Sequence, residues 1–132
     1  MEMADELLKQ TSIIVCTTDR LTDLEECLKS LQPFRAAVAE IIVVNNGPHL
    51  AAVEQVAQRH RARVVTEPQR GVSRARNAGV RTATGNILAF LDDDSVADPN
   101  WLPFLLAGRV GSAAGEVGST ACAIFTSNRP PE

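Results

Sequence analysis

Residues 87 to 94 read Ile87-Leu88-Ala89-Phe90-Leu91-Asp92-Asp93-Asp94, an apolar run that ends in three carboxylates. The run has the length and composition of a strand buried on both faces, the kind found in a parallel sheet covered by helices. Three adjacent negative charges repel one another unless a cation or a proton sits among them. The triplet is therefore a candidate metal site. Oxygen-only ligands suit a hard ion, Mg²⁺ or Mn²⁺, of the kind that usually comes with phosphate. The competing explanation is a solvated acidic turn whose aspartates cap the next helix.

Upstream lie two more runs of the same kind, Ser12-Ile13-Ile14-Val15-Cys16 and Ile41-Ile42-Val43-Val44, and a short one at Val64-Val65. Helical patterns separate them. Leu21, Leu24, Leu28 and Leu31 recur at helical spacing, Thr22 and Glu25 are spaced as a capping box, and Pro33 ends the helix. A second helix reads from Leu50 to Arg61, with Leu50, Val53, Val56 and Ala57 inward. A third spans Val72 to Ala83, with Gly85 placed to cap it, and Pro99-Asn100-Trp101-Leu102 opens a short one with Pro in its first turn. Such alternation specifies an α/β fold, a Rossmann-like, doubly wound, mostly parallel sheet. Right-handed crossovers restrict the topology severely, and the expected strand order is 3-2-1-4, the first half of a doubly wound sheet.

In that order the chain reverses direction between the first and fourth strands, and ligands bind outside the carboxyl ends of strands at such a switch point. Those ends are Cys16-Thr17-Thr18-Asp19 and Asp92-Asp93-Asp94. The triplet thus falls where the fold puts a ligand, for reasons unrelated to its charge.

The chain has 132 residues, enough for one modest core. Its formal charge of −3 does not describe a general nucleic-acid binder. Arg70, Arg74, Arg76 and Arg81 gather as either a local anion site or a solvated helix face. Cys16, Cys27 and Cys122 are odd in number, with no CxxC, which reads as a reducing compartment; Cys16 and Cys122 lie in apolar runs as small core residues. His49 and His60 have no metal-ligand spacing to a cysteine. The acidic start lacks the basic region of a signal peptide, and no run of about 18 apolar residues spans a membrane. The reading is a cytoplasmic chain, at most peripheral at the inner face of the membrane. Gly108 to Gly118 is rich in Gly and Ala and reads as a flexible loop, with Ser119 to Thr126 as a candidate last strand.

Four segments match one pattern together: Ser12 to Arg20 (SIIVCTTDR), Glu40 to Gly47 (EIIVVNNG), Gly71 to Gly79 (GVSRARNAG) and Leu91 to Asp94 (LDDD). In this order and at these distances, the chain resembles the nucleotide-binding half of family-2 inverting glycosyltransferases, which have the GT-A fold. The resemblance covers about Ser12 to Leu106. It implies a nucleoside-diphosphate-sugar donor, an acceptor that is a saccharide, a lipid or a protein, and transfer with inversion in the full-length protein. Asp92-x-Asp94 matches the DxD motif: Asp92 would face the ribose, and with Asp94 would hold Mg²⁺ or Mn²⁺. That ion would bridge the phosphates and offset charge on the leaving diphosphate. Thr17 and Asp19 match the base-pocket wall. Asn45 stands where the family usually has an aspartate that hydrogen-bonds the base. An amide both donates and accepts, so the base stays open. Arg76 and Asn77 match the helix segment that closes the pocket or approaches the nucleotide, although Asn77-Ala78-Gly79 equally suits tight helix–sheet packing.

On this resemblance, residues 1–10 are an N-terminal extension, 11–107 the nucleotide-sugar-binding half of a partial GT-A domain, and 108–132 the loop and last strand. The family's catalytic base and acceptor site lie in a second half. Asp98, Glu116 and Glu132 match no such motif, so the catalytic residue is unassigned and these residues alone are expected to be inactive. Two other readings compete. Asp92-Asp93-Asp94-Ser95-Val96 resembles the acid triplet of haloacid-dehalogenase-type phosphatases, but that motif belongs on a first strand with a lysine downstream, and the lysines here are Lys9 and Lys29. The chain also fits a non-catalytic nucleotide-binding or interaction module.

Overall fold

The computed structural model describes residues 2–107, 114–117 and 121–125. In chain order these form helix α1 (Glu2–Lys9), strand β1 (Thr11–Thr17), α2 (Leu21–Ser30), a 3-10 turn (Gln32–Phe34), β2 (Glu40–Asn45), α3 (Leu50–Arg59), β3 (Arg63–Thr66), α4 (Val72–Thr82), β4 (Ile87–Asp92), α5 (Trp101–Ala107), β5 (Ala114–Val117) and β6 (Ala121–Phe125). The sheet order is β3-β2-β1-β4-β6-β5. Its first four strands are parallel in the expected order 3-2-1-4, while β6 runs antiparallel to β4 and β5 antiparallel to β6.

The apolar runs are continuous because both faces of the sheet are covered. Ile13, Val15, Val43, Ala89 and Leu91 share a core with Leu24 and Leu28 of α2, Val53 of α3 and Leu102 and Leu105 of α5. Ile14, Ile42, Val44, Leu88 and Phe90 face the other way, onto Ala75 and Ala78 of α4. Small residues let α4 approach closely: a Cβ at Gly79 would lie 2.6 Å from Ile14 Cγ2. The packing role foreseen for Asn77-Ala78-Gly79 is thus filled by Ala78 and Gly79, while Asn77 is exposed.

Several local expectations are corrected. Thr22 and Glu25 form no capping box, because α2 starts at Leu21 behind Arg20 and has no side-chain cap. Glu25 instead pairs with Arg59 and His60, tying α2 to α3. Leu50 opens α3 off its inward face and is exposed, whereas Val53, Val56 and Ala57 are buried. Gly85 does not cap α4, which ends at an extended Ala83. It serves close approach: its N–H donates to Ser12 Oγ at 2.9 Å, and a Cβ there would meet the Gln10 carbonyl at 2.4 Å. Pro99 precedes α5, and Pro103 is the proline of its first turn. The turn before α5 is made by Asp98, whose carbonyl and carboxylate accept from the N–H groups of Trp101 and Asn100 at 2.8 Å each.

The Gly/Ala-rich stretch is not all loop, since Ala114–Val117 is paired with β6; the remainder of 108–118 lies outside the described residues. The foreseen last strand is β6. Residues 2–9 are helical, with Leu8 in the core.

At the amino ends of the strands, Glu40 is a polar hub. It accepts from Ser12 Oγ at 2.8 Å, from the Thr84 N–H at 2.6 Å and hydroxyl at 2.9 Å, and from Arg63 at 3.4 Å. Burial pushes its carboxyl up, but the Thr84 N–H, the two hydroxyls and Arg63 together hold it below the ordinary carboxylate range.

Candidate functional site

At the opposite rim, β1 and β4 end side by side, with Cys16 in register with Asp92, and Thr17 with Asn45 of β2. The loops beyond them enclose a cavity of about 380 Å³. Its walls are Thr17, Thr18, Arg20, Asn46, Arg76, Asp92, Asp93 and Asp94, over Ile14, Cys16 and Phe90. The parallel topology makes this crevice, because α2, which leaves β1, and α4, which leads into β4, lie on opposite faces of the sheet.

The three aspartates have different surroundings. The side chains of Asp92 and Asp94 are 46% and 47% exposed, whereas that of Asp93 is 11% exposed. Burial pushes the Asp93 carboxyl above the ordinary range, opposed by the Thr17 hydroxyl and Arg20, with Asp94 adding to the rise. Among the described residues the buried Thr17 hydroxyl has no hydrogen-bond partner of good geometry. Arg20 Nη1 donates to Asp94 Oδ2 at 2.9 Å and lies 3.9 Å from Asp93 Oδ1. Arg76 stands on the other side, its Nη2 4.0 Å from Asp92 Oδ1 and its guanidinium carbon 5.7 Å from the Phe90 ring centroid. Two cations therefore flank the carboxylates, and both are half-exposed.

Of the residues singled out from sequence, Thr17, Arg76, Asp92 and Asp94 line the cavity together. Asn45 is buried at the end of β2; its Oδ1 accepts from the Gly47 N–H at 3.3 Å, and its Nδ2 is buried without a partner among the described residues. Asp19 is exposed, accepts from the Thr18 hydroxyl at 3.2 Å, and is not part of the cavity wall. The arginine cluster does not converge: Arg76 reaches the cavity, Arg81 pairs with Glu67 at 3.5 Å, and Arg70 and Arg74 are exposed elsewhere. Cys16 is partly buried, packed against the core on the α4 side and at the same time part of the cavity wall. Burial pushes its thiol up to about 11, with Arg76 opposing and Asp92 and Asp93 reinforcing.

Sequence reasoning missed Asn46. Its Nδ2 donates to the carbonyls of Glu67 and Gln69 at 2.8 and 2.9 Å, and its Oδ1 accepts from the Gly71 N–H at 3.0 Å. One buried amide thus joins the loop after β2 to the loop before α4. The signal was a buried strand ending in two consecutive amides, where a turn needs one. Gly47 completes the junction, for a Cβ there would lie 1.9 Å from the Thr18 carbonyl oxygen.

No group of three or more His, Cys, Asp and Glu among the described residues is arranged to hold an ion unaided. Asp92 and Asp94 nonetheless share one cavity and are both accessible. Mg²⁺-type ions are commonly held by one or two carboxylates, with phosphate oxygens and water completing the shell. The donor set fits an ion that arrives with a diphosphate.

Sheet order and crevice define a class, the doubly wound α/β domains that hold a ligand at their switch point. Within it, the chain belongs to glycosyl transferase family 2, whose family profile matches residues 12–110. It is 30% identical over 99 residues to the putative glycosyltransferase EpsH of Bacillus subtilis, an alignment covering 72% of this chain and 29% of that protein. It is 30% identical over 114 residues to the glycosyltransferase AglE of Haloferax volcanii, covering 81% of this chain and 38% of AglE. The chain thus spans well under half the length of these relatives.

Among solved structures, the mannosyltransferase PcManGT of Pyrobaculum calidifontis, in complex with GDP-Man and Mn²⁺, superposes with a TM-score of 0.68 at 25% identity, covering 80% of this chain and 34% of that one. Glucosyl-3-phosphoglycerate synthase of Mycobacterium tuberculosis, in complex with Mn²⁺, UDP and glucosyl-3-phosphoglycerate, gives 0.69 at 22% identity, covering 83% of this chain and 42% of that one. The fold is that of these GT-A enzymes. No helix among the described residues is long and apolar enough to cross a membrane.

Proposed function

We propose that these residues bind the donor of an inverting glycosyltransferase, a nucleoside-diphosphate-sugar held with Mg²⁺ or Mn²⁺ on Asp92 and Asp94. The observation that carries this is the triplet itself: two accessible carboxylates flank a buried one, in a cavity at the switch point, with Arg20 and Arg76 on either side. The bound PcManGT supports it, since that relative of the same fold holds GDP-Man with Mn²⁺. Residues 11–107 are the donor-binding part, 1–10 an extension of it, and 108–132 the segment that adds the last strands.

The ion supplies charge neutralisation at the diphosphate as it departs. The remaining tasks fall to the chain's own groups. Asp92 also accepts from the ribose hydroxyls. Thr17 and Asn45 form the base side of the pocket, Asn45 from its buried place at the end of β2, with Asp19 at the outer edge. Arg76, steadied over Phe90, closes the pocket beside the phosphates. Inversion requires an acceptor oxygen, deprotonated by a base, to attack the sugar from the face opposite the diphosphate. The carboxylates lining the cavity are those of the triplet, two of them assigned to the ion and the third, Asp93, nearly buried. This favours a second reading for the 132 residues taken alone: they bind the donor without transferring it.

Calorimetric titration of the chain with UDP and GDP, with Mn²⁺ and with excess EDTA, tests the reading. Binding is expected with Mn²⁺ and lost with EDTA. Binding that ignores EDTA, or none in either buffer, would overturn it.

A further inference from the structure

Resting on the donor-site reading above, we propose that Arg20 is a displaceable counter-ion: it neutralises Asp93 and Asp94 when no donor is present, disfavours a bare metal ion, and turns to the diphosphate when metal and nucleotide enter together. Arg20 Nη1 is 2.9 Å from Asp94 Oδ2 and 3.9 Å from Asp93 Oδ1, so its charge sits against the carboxylates an ion would need. A divalent cation coordinated by Asp94 would stand within a few ångströms of the guanidinium, and like charges that close repel strongly in a partly desolvated crevice.

The arrangement is nevertheless easy to undo. The Arg20 side chain is 54% exposed and that of Asp94 is 47% exposed, and the contact to Asp94 is through one nitrogen. Such pairs contribute little. Arg20 also stands directly before α2, at a position where its own side chain makes no cap bond. Reorienting it therefore leaves the helix start intact. A diphosphate brought in with the ion supplies the oxygens to which a guanidinium binds best. Metal alone must displace Arg20 without compensation, whereas the metal–nucleotide complex offers it a new partner. Ordered entry follows, with ion and nucleotide bound as one unit.

The probe is Mn²⁺ alone, followed by the EPR signal of the free ion, on the full chain and on Arg20→Gln, Arg20→Lys and Asp94→Asn. Circular dichroism would check that each variant is folded. Bare Mn²⁺ is expected to bind about fivefold more tightly to Arg20→Gln than to the native chain, the factor lost with an exposed ion pair of about 1 kcal/mol. UDP in the presence of Mn²⁺ is expected to bind more weakly to the same variant. Arg20→Lys should stay near the native chain in both, and Asp94→Asn should lose bare-ion binding. Unchanged or weaker bare Mn²⁺ binding by Arg20→Gln would overturn the proposal while leaving the donor-site reading standing. A native chain that binds neither Mn²⁺ nor Mn²⁺ with UDP would overturn both.

Discussion

Asp93 and Asp94 are chemical twins one peptide bond apart, and the fold gives them different work. Asp94 is accessible and meets only one guanidinium nitrogen; Asp93 is tucked under the rim, where burial disfavours its charge. Asp94→Ala is therefore expected to weaken Mn²⁺-dependent UDP binding at least about tenfold, and Asp93→Ala by much less. Titration calorimetry on the two variants decides it, and equal losses would count against the assignment. The DxD spacing was legible in sequence because it is local. Arg20 and Asn46 were not, because their partners come from loops 74 and 21 to 25 residues away. Asn45 was legible as a departure from its family, but not the fate of its amide, which depends on the Gly47 turn.

At the scale of elements, two junctions carry sharp expectations. Gly47 lets the loop after β2 lie against the loop after β1, and a methyl there would stand 1.9 Å from a backbone oxygen that cannot rotate away. Gly47→Ala should cost about 1–3 kcal/mol or more, read from the urea midpoint, because overpacked sites relax only by shifting backbone.

Glu40 ties β1, β2 and the turn before β4 together. Its folded pKa lies below its unfolded value, so its stabilisation is complete above the unfolded value and is lost as pH falls through the folded one. Glu40→Gln should thus destabilise the chain near neutral pH, and the gap from the native protein should close as the solution is acidified. Thermal melts across the acid range would show it; a constant gap would mean that charge is irrelevant there. The strands and helices themselves were legible because both faces of β1, β2 and β4 are covered, which leaves unbroken apolar runs. Caps were not. Thr22 and Glu25 have capping-box spacing, yet Glu25 is drawn instead to Arg59 and His60 at the end of α3, a contact no local pattern announces.

For the molecule as a whole, the strand order was legible from the β-α alternation and the handedness of crossovers, and the antiparallel return of β6 beside β4 was not, because it depends on pairing across a Gly-rich stretch. The proposed donor crevice is built within one chain, but a transferase must also hold an acceptor and remove its proton. The 132-residue chain is accordingly expected to transfer no sugar from labelled nucleotide-sugars to a mixed acceptor library in Mn²⁺, although slow donor hydrolysis is compatible with its site. A glycosylated product that disappears with Asp94→Ala would refute this.

The Glu40 hub and the crevice lie at opposite ends of β2, a strand of six residues that is about 20 Å long. Perturbations that far apart combine almost additively. A lineage carrying this domain can therefore redraw the far-rim loops to suit a new ligand while the anchoring pole holds the architecture constant. Random substitutions should accordingly sort into two classes, those that lower expression and those that alter selectivity, with little overlap between them.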